Sequence, residues 1–493
     1  MSPIRRPSVL RGASIEGGLP TLVSIAAAMA LVVPCSLSTT GCEEPQSAGP
    51  AASASSSAAA PPPEASTLTP AQRLARQDKA AKLFRIECSG CHGERGRGDG
   101  PAASFVVVKP RNFTRERFKV RSVLSGGPPT KKDIFDTITR GMPGSSMPSF
   151  KFLSDDERWL LTEHVWELAN LEGRKPGKPA PMTKEVPNDA ESIKRGRAIF
   201  EQFECAKCHG AEGRGDGPSS KTLKDDLDRP LPSRDLTREA FRGGDGIEAT
   251  YFRFMTGMDG TPMPSYADNF KGTEGWDLAH YVVSLRVPKE APPSDAVEYG
   301  RKVVQDKQCQ ACHVIEGKGA RVGPSLDVSA QKLQYAWAKA FLKSPRTYGK
   351  VYPYIPYRMP DLGLTEPEID AVLALFAKIA NRSYPDDTPK PVAIDEAKAK
   401  AGMLIYFLKC TECHNMGTVI PTPEAKRQGP DLVDVTKRMR FEFMPQWVKQ
   451  PQDVYADTRM VDTNLSADEV DQVVQFVWKT SLENAGKVKP TTK

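Results

Sequence analysis

One pentapeptide, repeated four times, constrains this 493-residue chain more than any other feature. It reads Cys88-Ser-Gly-Cys91-His92, Cys205-Ala-Lys-Cys208-His209, Cys309-Gln-Ala-Cys312-His313 and Cys410-Thr-Glu-Cys413-His414. Eight of the ten cysteines and four of the six histidines fall in these copies. Their first cysteines stand 117, 104 and 101 residues apart, which sets four units, each the size of a small domain. Zinc also uses C-x-x-C pairs, but a zinc ribbon needs a second pair nearby, and here the pairs lie far apart. A disulfide within a pair suits only an oxidising compartment before any cofactor is loaded.

C-x-x-C-H is the attachment sequence for c-type haem. Two intervening residues place both sulfurs along one rim of the porphyrin, and the adjacent His reaches the iron. The expectation is four covalently bound haem c groups, held by Cys88, Cys91, Cys205, Cys208, Cys309, Cys312, Cys410 and Cys413, with His92, His209, His313 and His414 as iron ligands. A thioether in the sixth position closes an iron and raises its potential, whereas an open position admits chemistry on a substrate. Met147, Met263, Met359 and Met460 follow the four histidines by 55, 54, 46 and 46 residues. Pro follows the first three, and its fixed backbone suits a loop that presents sulfur rigidly. Met142 and Met258 are rivals in the first two units, and Met439 and Met444 in the fourth.

The intervals sort the units into two pairs, and so do their loops. Units 1 and 2 share His-Gly-x-x-Gly-Arg-Gly-Asp-Gly-Pro, ending at Pro101 and Pro218, and then Arg-x-x-Thr-Arg beginning at Arg111 and Arg234. Units 3 and 4 share Gly-Pro-x-Leu, containing Pro324 and Pro430. The planar guanidinium groups of Arg111 and Arg234 suit haem propionates. A small residue lies four before a large apolar one ahead of every motif: Ala80/Phe84, Gly196/Phe200, Gly300/Val304 and Gly402/Tyr406. At this spacing both share one helix face, the small one admitting a crossing helix. Each unit closes on an amphipathic segment, with capping boxes at Ser154–Glu157 and Ser466–Glu469. His164 and His280 fall in such segments and read as helix-face residues.

Arg5, Arg6 and Arg11 precede an apolar run from Leu22 to Val33, the order of a secretory signal over 1–41. Pro34 ends the run too early for a spanning helix. Residues 42–70 are rich in Ala, Ser and Pro, a tether that reaches up to ~80 Å extended. Net charge is +7, from 68 basic and 61 acidic residues without a Lys/Arg run, so no nucleic acid partner is expected. Compositional breaks delimit domains at 71–172, 190–287, 295–381 and 395–483.

Over residues 71–483 these motifs resemble tandem class I cytochrome c domains, and Gly41-Cys42 resembles a bacterial lipobox. The resemblance implies an all-α fold, with each small core completed by haem. It implies that the Pro101, Pro218, Pro324 and Pro430 carbonyls accept from the proximal histidines. It also implies a periplasmic (extracytoplasmic) protein held to a membrane by lipid on Cys42. The expected function is one-electron transfer in a respiratory chain. Expected partners are a quinol-oxidising complex or dehydrogenase on one side and an oxidase, reductase or small cytochrome on the other. The rival readings are a peroxidase- or reductase-like enzyme with an open iron in unit 4, and a haem-bearing subunit of a larger oxidoreductase.

Overall fold

The computed structural model describes residues 68–347, 357–383, 392–417, 420, 429–455 and 458–484. The signal segment, Cys42 and nearly all of the tether lie outside them, as do residues 348–356, rich in Tyr and Pro, ahead of Tyr357. Among the described residues every regular element is a helix, and β-pairing is confined to isolated bridges.

Domain 1 is built from α1 (Pro70–Glu87), α2 (Lys131–Arg140) and α3 (Asp155–Leu168). Domain 2 repeats this with α4 (Ala190–Gln202), α5 (Ile247–Thr256) and α6 (Glu274–Ser284). Domain 3 uses α7 (Ala296–Asp306), α8 (Tyr335–Lys343) and α9 (Glu366–Ile379). Domain 4 uses α10 (Glu396–Lys409), α11 (Met444–Lys449) and α12 (Ala467–Asn484). Each domain has its own apolar core.

Local chemistry sets where these helices begin. The Ser154 hydroxyl caps α3 while Glu157 reaches back to the Ser154 N–H, and Ser466 with Glu469 does the same for α12. Thr69/Gln72 and Thr365/Glu368 form the same reciprocal box at α1 and α9. Such a cap contributes ~1 kcal/mol.

The first and last helices of each domain cross at the small residue. A Cβ added to Gly196 would stand 2.0 Å from the Asp277 carbonyl oxygen. At Gly300 it would stand 2.2 Å from that of Ala371, and at Gly402 1.9 Å from that of Gln472. Helix backbones therefore touch directly, which only glycine permits. Domain 1 has Ala80 there, buried at 3% exposure, so its helices meet through a methyl group. Phe84, Phe200, Val304 and Tyr406, one turn on, are all buried against the same crossings. Each such burial is worth roughly 1.5–3 kcal/mol.

The stretch 171–189, a linker by composition, is pinned down. Leu124 N–H donates to the Lys178 carbonyl at 2.8 Å and Ala180 N–H to that of Ser122 at 2.9 Å. Further on, the Tyr251 hydroxyl donates to the Pro181 carbonyl and Trp276 Nε1 to the Thr183 hydroxyl. Domain 2 side chains thus fasten a segment that also pairs with domain 1.

The helix crossing yields a stability prediction. Gly402→Ala drives a methyl into the Gln472 backbone and should cost at least ~1–3 kcal/mol, lowering the melting temperature of the haem-loaded protein. Gly246→Ser, at an open helix N-cap with nothing within 4 Å of an added Cβ, should leave it unchanged or higher. Equal melting temperatures for both variants would remove the crossing as the constraint.

Candidate haem sites

In every domain the first helix ends at the first motif cysteine or a few residues before it. Turn bonds then carry the motif round: His92 N–H donates to Cys88 O, His209 N–H to Cys205 O, His313 N–H to Cys309 O and His414 N–H to Cys410 O, at 2.8–3.0 Å. None of the eight motif cysteines is paired in a disulfide. Burial pushes the thiols of Cys205, Cys309 and Cys410 up to about 11. Burial also lowers all four histidines, His92 to about 4, against the favourable backbone carbonyl beside each ring. The neutral imidazole is the form that donates a lone pair to a metal.

The second ring nitrogen finds a backbone carbonyl, but the four sites differ. His313 Nδ1 lies 2.7 Å from the Pro324 oxygen and His414 Nδ1 2.9 Å from that of Pro430. Gly323 and Gly429 keep these contacts close, since an added Cβ would stand 2.5 and 2.3 Å from the imidazole Cε1. In domain 1 the acceptor expected at Pro101 is replaced. His92 Nδ1 lies 3.1 Å from the Arg111 carbonyl instead. In domain 2 the Arg234 carbonyl, not Pro218, faces His209 and favours its protonation, short of full hydrogen-bond geometry.

The glycine-rich loops cause this change. Gly98 N–H returns to the His92 carbonyl and Gly215 N–H to that of His209, both at 2.8 Å. Gly96 and Gly213, at positive φ, then accept from Phe113 and Leu236. That stitching lays the arginine segment under the histidine and stacks Phe113 on His92 at 4.6 Å.

The methionine loops repeat as well. Met142 N–H donates to Met147 O, and Met258 N–H to Met263 O. Met147 N–H donates to the Ser145 hydroxyl and Met263 N–H to the Thr261 hydroxyl, both at 3.2 Å. Met460 N–H does the same to Thr458, again at 3.2 Å. Met439, Met444 and Met460 all line one cavity. Met439 and Met444 are 5% exposed and belong to the domain 4 core. A cavity of about 1080 Å³ runs past Cys88, Cys91, His92 and Met147, then Cys309, Cys312, His313 and Met359, then Cys410, Cys413, His414 and Met460. Its volume and apolar walls fit large planar groups. Cys205 and Met263 pack against the domain 2 core.

Arg111 and Arg234 cross between domains. Arg111 Nη1 pairs with Asp226 at 3.1 Å, and Arg234 Nη1 donates to the Gly144 carbonyl at 3.1 Å. Arg111 Nε and Nη2, Arg234 Nε and Arg242 Nη1 are buried without a partner among the described residues. Lys119, Arg242, Arg111 and Arg234 lie close enough to repel one another, and burial pushes Lys119 down to about 7 and Arg242 to about 10. A buried donor left unpaired costs ~1–3 kcal/mol, more when charged, so this cluster calls for anions. His164 and His280 stand apart from the motifs. His164 lies 4.9 Å from the Phe84 ring, and His280, buried rather than on an open helix face, bonds Ser192 at 2.7 Å.

The chain is similar in sequence to known proteins. The model of the cytochrome c family matches residues 77–169, 193–286 and 297–378, the first three domains. The Cbb3-type cytochrome c oxidase subunit CcoP of Azospirillum sp. (strain B510) is 26% identical over 221 residues, 41% of this chain and 60% of that protein. Cytochrome c55X of Paracoccus denitrificans (strain Pd 1222) is 34% identical over 88 residues, 17% of this chain and 69% of that one. A chain of the Kuenenia stuttgartiensis reducing HAO-like protein complex is 38% identical and covers 43% of this chain and 96% of its own, at a TM-score of 0.41. Three family matches covering more than half of the sequence, each over a C-x-x-C-H turn, place the chain in the cytochrome c family as a multidomain, all-α c-type cytochrome.

Proposed function

We propose that the chain is a tetrahaem electron carrier, with one covalent haem c in each of domains 71–172, 190–287, 295–381 and 395–483. Bound haem supplies an iron that cycles between ferric and ferrous states. The observation that supports this is a C-x-x-C-H turn in each of the four domains, with the histidine and a methionine lining one cavity in domains 1, 3 and 4. The eight thiols would tether the haems, and His92, His209, His313 and His414 with Met147, Met263, Met359 and Met460 would hold the irons. Irons held in that way would offer no open position to a substrate, which favours a carrier over an enzyme. Arg111 and Arg234 meet the propionates with their buried, unpaired guanidinium nitrogens.

Secretion by the 1–41 segment and lipid on Cys42 would put the body outside the cytoplasmic membrane on its tether. Among the described residues no helix is long and apolar enough to cross a membrane. The named relatives include an oxidase subunit and a component of an HAO-like complex. That supports a place between redox proteins, with a quinol-oxidising complex or dehydrogenase upstream and an oxidase, reductase or small cytochrome downstream. It equally supports service as a subunit of such an assembly.

Mass spectrometry of the mature protein should show four haem additions per chain; three in fully matured material would contradict the reading of domain 4. Met460→His should lower one haem potential, because imidazole favours ferric iron more than thioether does, whereas Met439→Leu and Met444→Leu should keep all four axial sets. Arg111→Gln should lower the potential at site 1, since a lost buried cation also favours ferric iron. An unmoved potential would remove Arg111 from the propionate set.

A further inference from the structure

We propose that the four sites are wired in the order 2–1–3–4, so that site 1, not site 2, is the neighbour of site 3. This rests on the four-site reading above. It concerns the route of electrons through the chain, which the order of the repeats in the sequence does not reveal.

Sites 1 and 3 engage each other reciprocally. Gln308, which precedes Cys309, accepts from the Val107 N–H at 3.1 Å and from the Ser146 hydroxyl at 2.6 Å, and Ser146 precedes Met147. In return Arg358, which precedes Met359, donates its N–H to the Ile86 carbonyl at 3.2 Å, two residues before Cys88. A Cβ added to Gly90, inside the first motif, would stand 3.3 Å from the Tyr357 ring, two residues before Met359. The cysteine segment of each site therefore packs on the methionine segment of the other. Arg346 and Glu87 close the junction with two bonds of 3.1 and 2.7 Å, the Glu87 side chain being 2% exposed.

Sites 3 and 4 are joined by a short antiparallel contact. Gln334 N–H donates to Arg438 O, and Arg440 N–H to Lys332 O, both at 2.9 Å. The Tyr455 hydroxyl of domain 4 donates to the Gly323 carbonyl, beside His313. Site 2 meets the others through domain 1. Gly144 lies between Met142 and Met147, and Gly260 between Met258 and Met263. An added Cβ at Gly144 would strike Arg234, and one at Gly260 would strike Arg111. Each arginine, whose own carbonyl faces its histidine, thus reaches the other domain's methionine loop. The shared cavity is lined by domains 1, 3 and 4 and by no residue of domain 2.

One-electron transfer between fixed sites falls steeply with their separation, so contact order sets electron order. Each step oxidises one ferrous iron and reduces the next ferric iron, with no bond or proton changing hands. Site 1 is then the obligatory relay for site 2.

The test injects an electron at site 2. Arg214→Cys, exposed on the domain 2 haem loop, carries a ruthenium polypyridyl photoreductant in the four-haem protein. Met263→His marks site 2 spectrally and lowers its potential, so the electron leaves downhill. Adding Met147→His lowers site 1 and should slow that departure at least about tenfold, because it removes the downhill step from site 2 to site 1. Adding Met359→His instead should leave the departure unchanged. Slowing by Met359→His, or by neither, overturns the order. Potentiometry of each variant checks that the intended potential fell, which separates failure of the methionine assignment from failure of the route. An independent arm places Cys at 107 and 308 (Val107→Cys with Gln308→Cys). A short bismaleimide should link the pair but neither single variant, and a double variant left unlinked contradicts the site 1–site 3 contact.

Discussion

The crossing of first and last helices at a small residue is the contact on which each domain depends. In three domains a helix backbone lies directly on the partner's carbonyl, at Gly196, Gly300 and Gly402. That fixes where the first helix ends, and the C-x-x-C-H turn follows its end. It also fixes the large residue one turn on, Phe84, Phe200, Val304 or Tyr406, which walls the core. A haem site in this chain is thus a consequence of a helix crossing. Four small cores are built by the same device, and a bound porphyrin would fill what the side chains leave open.

Electrostatics completes the sites. Burial lowers the four imidazoles and so favours the neutral form that ligates a metal. The cations around Arg111 and Arg234 carry the opposite message. They are packed closely enough to repel, with donors unpaired, in a protein whose net charge is modest. A protein does not bury such donors for stability alone, because each unpaired one is costly. Their place at the junction of domains 1 and 2 argues for carboxylates drawn from both sites.

Much of this was legible in the sequence, because the motif, the small-large pairs and the capping boxes each act within a few residues of themselves. Ser466/Glu469 and Gly402/Tyr406 lie on the helices where their spacing puts them. Reading failed where the deciding contact is remote. Pro101 and Pro218 stand where Pro324 stands, yet the glycine loop brings the Arg111 segment from farther along the chain to His92. The 171–189 stretch has linker composition but finds partners on both flanking domains. Contacts such as Gln308 with Ser146 join residues 162 positions apart, and no local pattern announces them.

The central claim is that every iron is held between a histidine and a methionine, which makes the chain a relay. Low-temperature electron paramagnetic resonance of the fully oxidised protein, with spin quantitation against total haem, tests it most directly. The account predicts four low-spin ferric irons per chain and the near-infrared sulfur-to-iron band at matching intensity. A high-spin ferric signal from one iron in four would contradict it and give that domain an open coordination position.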